Sequence, residues 1–113
     1  MEITTTEYSV KYYPEVDTIY LQGIMRLNGH EYQPITKFLE QVTALEPVLL
    51  KLNLRQLKAL NSSGISMLGR FVFAMNKKQT IQLILEGSHE IVWQEKWGKN
   101  FQLLMPSLRL EWE

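Results

Sequence analysis

From Pro34 onward the chain alternates two kinds of apolar pattern, and this alternation limits the folds open to it more than any other feature. The segment after Pro34 sets Ile35, Phe38, Leu39, Val42 and Leu45 three and four residues apart, which puts them on one stripe of a helix that ends near Pro47. Pro34 suits the first turn of that helix, where its missing N–H needs no partner. PVLLKLNL follows as a short, nearly continuous apolar run, the pattern of a strand buried on both faces. A second helical stripe, Ile65, Leu68, Phe71, Val72 and Met75, closes in Asn76, Lys77 and Lys78, where positive charge complements the helix C-terminus. TIQLILEG reads as another buried strand, and Ser88 as the N-cap of a third helix through Val92, Trp93, Trp97 and Phe101, with Gly98 as a weak point. The last three residues recur at helical spacing, which marks core.

Strands that alternate with helices pair in parallel through right-handed crossovers. Ahead of them, EYSVKYY and TIYLQGIM are rich in Tyr, Val, Ile and Thr, and PEVD between them supplies Pro14 and Asp17 for a turn. That is a β-hairpin, which adds an antiparallel element. The tail SLRLEWE alternates Leu108, Leu110 and Trp112 with polar residues, as a short edge strand does. The expectation is an α/β fold: a mixed sheet with an N-terminal β-hairpin, parallel central strands and amphipathic helices. Leu50 and Leu52 should lie in one strand and Ile81 and Leu83 in its parallel neighbour. At 113 residues and 45% hydrophobic, the chain is sized for one domain spanning 1–113.

Composition then removes whole classes of function. Lys+Arg and Asp+Glu both total 12, with no long block of one sign, so neither a nucleic-acid nor a membrane partner is expected. No apolar run approaches the ~20 residues needed to span a bilayer, and MEITTTEYSV has no signal-peptide core, so the expected location is cytoplasmic. The chain has no cysteine, which excludes a disulfide framework, a thiolate ligand and a thiol nucleophile. His30 and His89 are far apart and have no neighbouring His at helical spacing, so no metal site is expected. A serine hydrolase would need one of them, with Asp17 or a glutamate, beside a serine, and G-x-S-x-G is absent. No glycine-rich phosphate loop is present, so no nucleotide cofactor is expected and the chain is not itself a kinase. The expectation is a protein that is not an enzyme.

One stretch remains, KALNSSGISMLGRFVFAM, which sets Asn61, Ser62, Ser63 and Gly64 at the mouth of the second helix. Loops leaving the carboxyl ends of strands in α/β sheets are where ligands and partners meet the fold, and LNSSG is such a loop. Asn61 or Ser62 can cap the helix by accepting from its free N–H groups, and Gly64 allows close backbone packing. A cap needs only one of these residues. A hydroxyl at this position also sits where N–H dipoles favour negative charge, so the fold would tolerate a phosphate there. Arg55, Lys58 and Arg70 bracket the motif and could rim it for an acidic partner.

LNLRQLKALNSSGISMLGRFVFAM resembles the central segment of STAS domains, the sulfate-transporter and anti-sigma-factor-antagonist modules, in which a buried strand and an Asp-Ser-Ser-Gly-like motif lead into a helix. LQGIMRLNG resembles the glycine-containing second strand of that family, and the third helix with LMPSLRLEW is similar to small stand-alone STAS-like regulators of cyanobacteria. The resemblance implies a bacterial, non-enzymatic signalling protein of the anti-anti-sigma kind, a partner switch acting in transcription regulation. It implies phosphorylation of Ser62 by a kinase-like anti-sigma factor that is also the binding partner, reversal by a serine phosphatase, and partner contacts through Asn61, Ser62, Ser63 and Gly64. Asn61 stands where the family usually has Asp, so the charge beside the target hydroxyl is missing. The alternative is a scaffold or ligand-binding module of the same fold without the switch.

Overall fold

In the computed structural model, which describes residues 1–113, the chain opens on a strand that its sequence did not announce. β1 (Glu2–Thr4) pairs antiparallel with β2 (Tyr8–Tyr13), Ile3 opposite Val10. PEVD then turns the chain as expected: Pro14–Val16 form one 3-10 turn, and Asp17 takes a left-handed conformation at φ 54°. β3 (Thr18–Met25) returns antiparallel, Val10 opposite Leu21. Gly23 lies in this strand at φ 98°, and a Cβ there would stand 2.2 Å from the Glu7 carbonyl oxygen, so only glycine fits.

α1 (Gln33–Ala44) buries Ile35, Phe38, Leu39 and Val42 as its stripe predicts. Leu45 falls just past its end and is 61% exposed, so the stripe is one residue shorter than expected. β4 (Leu49–Leu60), α2 (Ser62–Lys78), β5 (Gln82–Gly87), α3 (Val92–Leu104) and β6 (Arg109–Trp112) complete the chain. Strand order is β1-β2-β3-β4-β5-β6, and β3 through β6 run parallel. Leu50 pairs with Leu83, and buried Ile81 lies immediately before β5. SLRLEWE supplies the edge strand β6.

Neighbouring parallel strands joined by successive right-handed crossovers place every crossover helix on the same face of the sheet. Burial follows that rule. Leu50, Leu52 and Leu54 of β4 point to the helices and are fully buried, whereas Lys51 between them and Arg55 after them are half-buried on the other face. β4 is therefore not buried on both faces, contrary to the reading of PVLLKLNL, and Val48 before it is 83% exposed. On the helix-free face Asn53 Nδ2 donates to Glu86 Oε1 at 2.9 Å and Arg55 Nε to the Gly87 carbonyl at 3.2 Å, which stabilises polar groups in a strand read as apolar.

β4 is also longer than the apolar run, because register shifts opposite Tyr20–Gln22 and Gly23–Ile24 carry it on to Leu60. Such irregularities strand backbone groups. Buried Gln94 of α3 answers two of them: its Nε2 donates to the Leu54 carbonyl at 2.6 Å and the Leu57 carbonyl at 3.2 Å, while its Oε1 accepts from Ser88 N–H at 2.8 Å. Ser88 is not the cap of α3. Two turn residues, His89 and Glu90, separate it from Ile91, the N-cap of the helix, and Val92 is 92% exposed. Phe101 is core, and Trp93 and Trp97 are partly buried against it. Gly98 is buried, and a Cβ there would stand 3.1 Å from the Trp112 ring, closer than ordinary contact. No helix is long and apolar enough to cross a membrane.

Candidate functional site

Only Asn61 separates β4 from α2, so NSSG is not a loop but a cap and the first helical turn. Asn61 is extended (φ −84°, ψ 177°), the backbone of an N-cap, and its Oδ1 accepts from Gly64 N–H at 3.0 Å. The same oxygen accepts from the Tyr32 hydroxyl at 2.7 Å, and its Nδ2 donates to the Leu27 carbonyl at 2.7 Å. One side chain thus ties the start of α2 to the segment that leaves β3. The amide is used at both ends. An aspartate at this position would keep the cap but turn an anionic oxygen toward the Leu27 carbonyl, so the NH₂ group gives a structural reason for Asn.

Tyr32 closes the network from beneath. It is 1% exposed, and its hydroxyl lies 3.2 Å from the Met25 carbonyl as well as against Asn61. Burial raises its pKa above the usual phenol value, because the phenolate would lose its water. An acid held protonated by folding stabilises the fold below its unfolded pKa and loses that contribution as pH rises through the folded value. In urea melts between pH 7 and pH 12, Tyr32→Phe is expected to cost about 1 kcal/mol near neutrality. The difference from wild type should shrink above about pH 10, where unfolded tyrosine ionises. A difference that stays constant with pH would contradict the assignment.

Around this anchored base the motif residues divide. Ser62, the first residue of α2, is exposed, Ser63 is half-buried and Gly64 is buried. Of the helical stripe, Leu68, Phe71, Val72 and Met75 are buried, but Ile65 is only partly covered, because α2 rolls that edge toward solvent. The basic rim does not assemble as three residues. The Arg55 guanidinium is taken up on the helix-free face by the Gly87 carbonyl and lies 4.0 and 3.8 Å from Glu86 and Glu113. Lys58 and Arg70 are exposed. His30 stands exposed in a 3-10 turn, and His89 contacts Glu95 at 2.6 Å while lying against Trp112. No group of three His, Cys, Asp or Glu side chains converges. Between α1 and α2 a cavity of about 250 Å³ has Leu39, Met67, Phe71 and Met75 at its floor and Glu40 and Arg70 at its rim.

Sequence reasoning missed Tyr32 and Gln94, which organise the ground under α2 and β4. The capping box of Asn28 and Glu31 that leads into Tyr32 was the available signal, since it fixes where the segment before α1 begins to turn.

No protein-family model matches the chain, and no curated protein does. Among solved structures it is similar to SiaC of Pseudomonas aeruginosa, at 15% identity over 98% of this chain and 94% of that one, with a TM-score of 0.73. It is equally similar to a chain in the crystal structure of the diguanylate cyclase SiaD in complex with its activator SiaC, from the same organism, at 14% identity, 100% and 99% coverage and a TM-score of 0.73. Identity this low speaks to fold alone: the six-stranded mixed sheet with three helices is the architecture that this chain shares with SiaC.

Proposed function

We propose that residues 1–113 form a STAS-like domain that acts without catalysis, as a signalling protein that binds a regulatory partner reversibly, with phosphorylation of Ser62 as the switch. The observation that carries this reading is the contrast within one turn of α2: an exposed hydroxyl at Ser62 over a base in which Asn61, Tyr32 and Gly64 are fixed by hydrogen bonds and packing. A phosphate at the first helical residue meets free N–H groups and the positive end of the helix, so the added charge alters the surface and leaves the fold in place. The partner meets this turn at Ser62, with half-buried Asn61 and Ser63 beside it and the exposed side of α2, while buried Gly64 seats the turn from beneath.

For the partner, the STAS resemblance points to a kinase-like anti-sigma factor and an opposing serine phosphatase. The likeness to SiaC, a protein solved with the cyclase that it activates, supports the wider class of regulatory protein partners, a diguanylate cyclase among them. The alternative without a switch draws its support from Asn61, whose amide serves structure rather than phosphorylation chemistry.

Affinity capture with the unmodified protein, followed by phosphopeptide mapping of the chain isolated from its own cells, separates the readings. The switch predicts a phosphate on Ser62 in a fraction of molecules, and that fraction should be absent from the captured complex. A chain that binds its partner with no phosphate on the peptide containing Ser62 under any growth condition would leave the scaffold reading in its place.

A further inference from the structure

α2 and α3 pack side by side, and apolar side chains on both remain uncovered along the shallow groove of their seam. Ile65, Gly69 and Phe73 follow one another a helical turn apart on α2. A Cβ on Gly69 would lie 3.7 Å from Leu104 and 3.8 Å from Phe101, and the Phe101 ring is 6.4 Å from that of Trp97, so α3 supplies the other wall. Phe73 remains 46% exposed and Leu104 37%, with Leu103 beside it at 81%. Glycine weakens a helix interior relative to alanine, and nothing within the fold requires it here, because the added carbon would make only ordinary contacts. Half-buried Gly69 therefore keeps the floor of the seam low where Phe101 and Leu104 meet α2, beside exposed Phe73, a shape that suits the apolar face of an amphipathic helix.

The charges around the groove have one sign. α2 contains no acidic residue, and the single acid of α3, Glu95, faces His89. Lys77 Nζ stands 4.9 Å over the Phe73 ring and Lys96 Nζ 5.9 Å over Trp97, and neither belongs to an ion pair of the chain. A second copy would bring like charges together across the groove. An acidic surface would complement them.

We propose that the α2–α3 groove docks an amphipathic helix of a partner protein, its apolar stripe on Ile65, Gly69, Phe73 and Leu104 and its acidic flanks against Lys77 and Lys96. The inference rests on the partner-binding reading above and deepens it. Ser62, Ser66, Gly69 and Phe73 follow one side of α2 at spacings of four, three and four, Gly69 half-buried and the others exposed, so a phosphate on Ser62 would stand at the groove's end and repel an acidic helix.

The probe is an 18-residue amphipathic helical peptide with leucines on one stripe and glutamates flanking it, compared with a twin carrying lysines for glutamates. In amide NMR titrations the acidic peptide should bind at least tenfold more tightly, with shifts confined to residues 62–77 and 93–104. Phe73→Glu should weaken it tenfold or more without lowering the melting temperature, and Lys77→Glu with Lys96→Glu should reverse the preference between peptides. Equal binding of the two peptides, or shifts centred on the α1–α2 cavity or the helix-free sheet face, would overturn the proposal. So would binding to anionic vesicles that Phe73→Glu abolishes while neither peptide binds. A captured partner weakened by Ser62→Asp but indifferent to Phe73→Glu would remove the groove and leave the switch; the reverse pattern would remove the switch alone.

Discussion

Replacing Gly64 by alanine is expected to lower stability by about 2–4 kcal/mol, although intrinsic helix propensity alone would raise it by about 1 kcal/mol. The reason lies beneath the first turn of α2. A Cβ on Gly64 would stand 2.3 Å from Leu60 Cδ1 and 2.6 Å from the Tyr32 hydroxyl, far inside contact distance. Relief requires moving Leu60 or displacing Tyr32, and the second route breaks the hydrogen bond to Asn61 that also serves the cap. Gly69→Ala, one and a half turns along the same helix, is the control: its Cβ meets nothing closer than 3.7 Å, so it should stabilise by up to about 1 kcal/mol. Paired thermal melts check both signs. For a domain of this size the Gly64 variant should melt about 10 °C or more below wild type, and the Gly69 variant at or above it. Two variants moving in the same direction would show that the tight seat of Gly64 is not what holds the start of α2.

What the sequence made legible follows from how local each cause is. The hairpin, α1, α2, β4 and β5 were readable because each advertises itself through periodicity or turn chemistry within its own residues. The helix-free sheet face was not, since Asn53 and Arg55 look like interruptions of an apolar run until Glu86 and the Gly87 carbonyl arrive from β5 to meet them. The beginning of α3 was misplaced because Ser88 is a plausible cap by type, yet buried Gln94 draws the Ser88 N–H into a turn ahead of the helix. β1 has only three residues, too few for any pattern.

At the candidate site the same boundary appears. A cap at Asn61 or Ser62 and an accessible hydroxyl at Ser62 were readable from residue types, and the structure gives the cap to Asn61. The partners that make Asn61 more than a cap, Tyr32 and Leu27, lie 29 and 34 residues earlier and meet it only through the fold. The groove was hidden for a related reason: Ile65 reads as part of the core stripe and Phe73 lies off it, and only the packing of α3 shows how far each is left uncovered.

Ser62→Asp carries the other large expectation. The substitution places a negative charge at the positive end of α2, where it is tolerated, so the melting temperature should stay within a few degrees of wild type. Binding should respond differently, because a partner surface fitted to a neutral hydroxyl would meet an unpaired charge in a desolvated contact. The penalty is several kcal/mol, or two or more orders of magnitude in affinity. Ser62→Ala, which adds no charge, should bind as wild type does and resist modification. The most direct measurement is calorimetric titration of the captured partner with wild type, Ser62→Asp and Ser62→Ala, with thermal melts of all three. The account predicts an affinity lowered about 100-fold or more for Ser62→Asp alone, at unchanged stability; equal affinities for the three forms would contradict it.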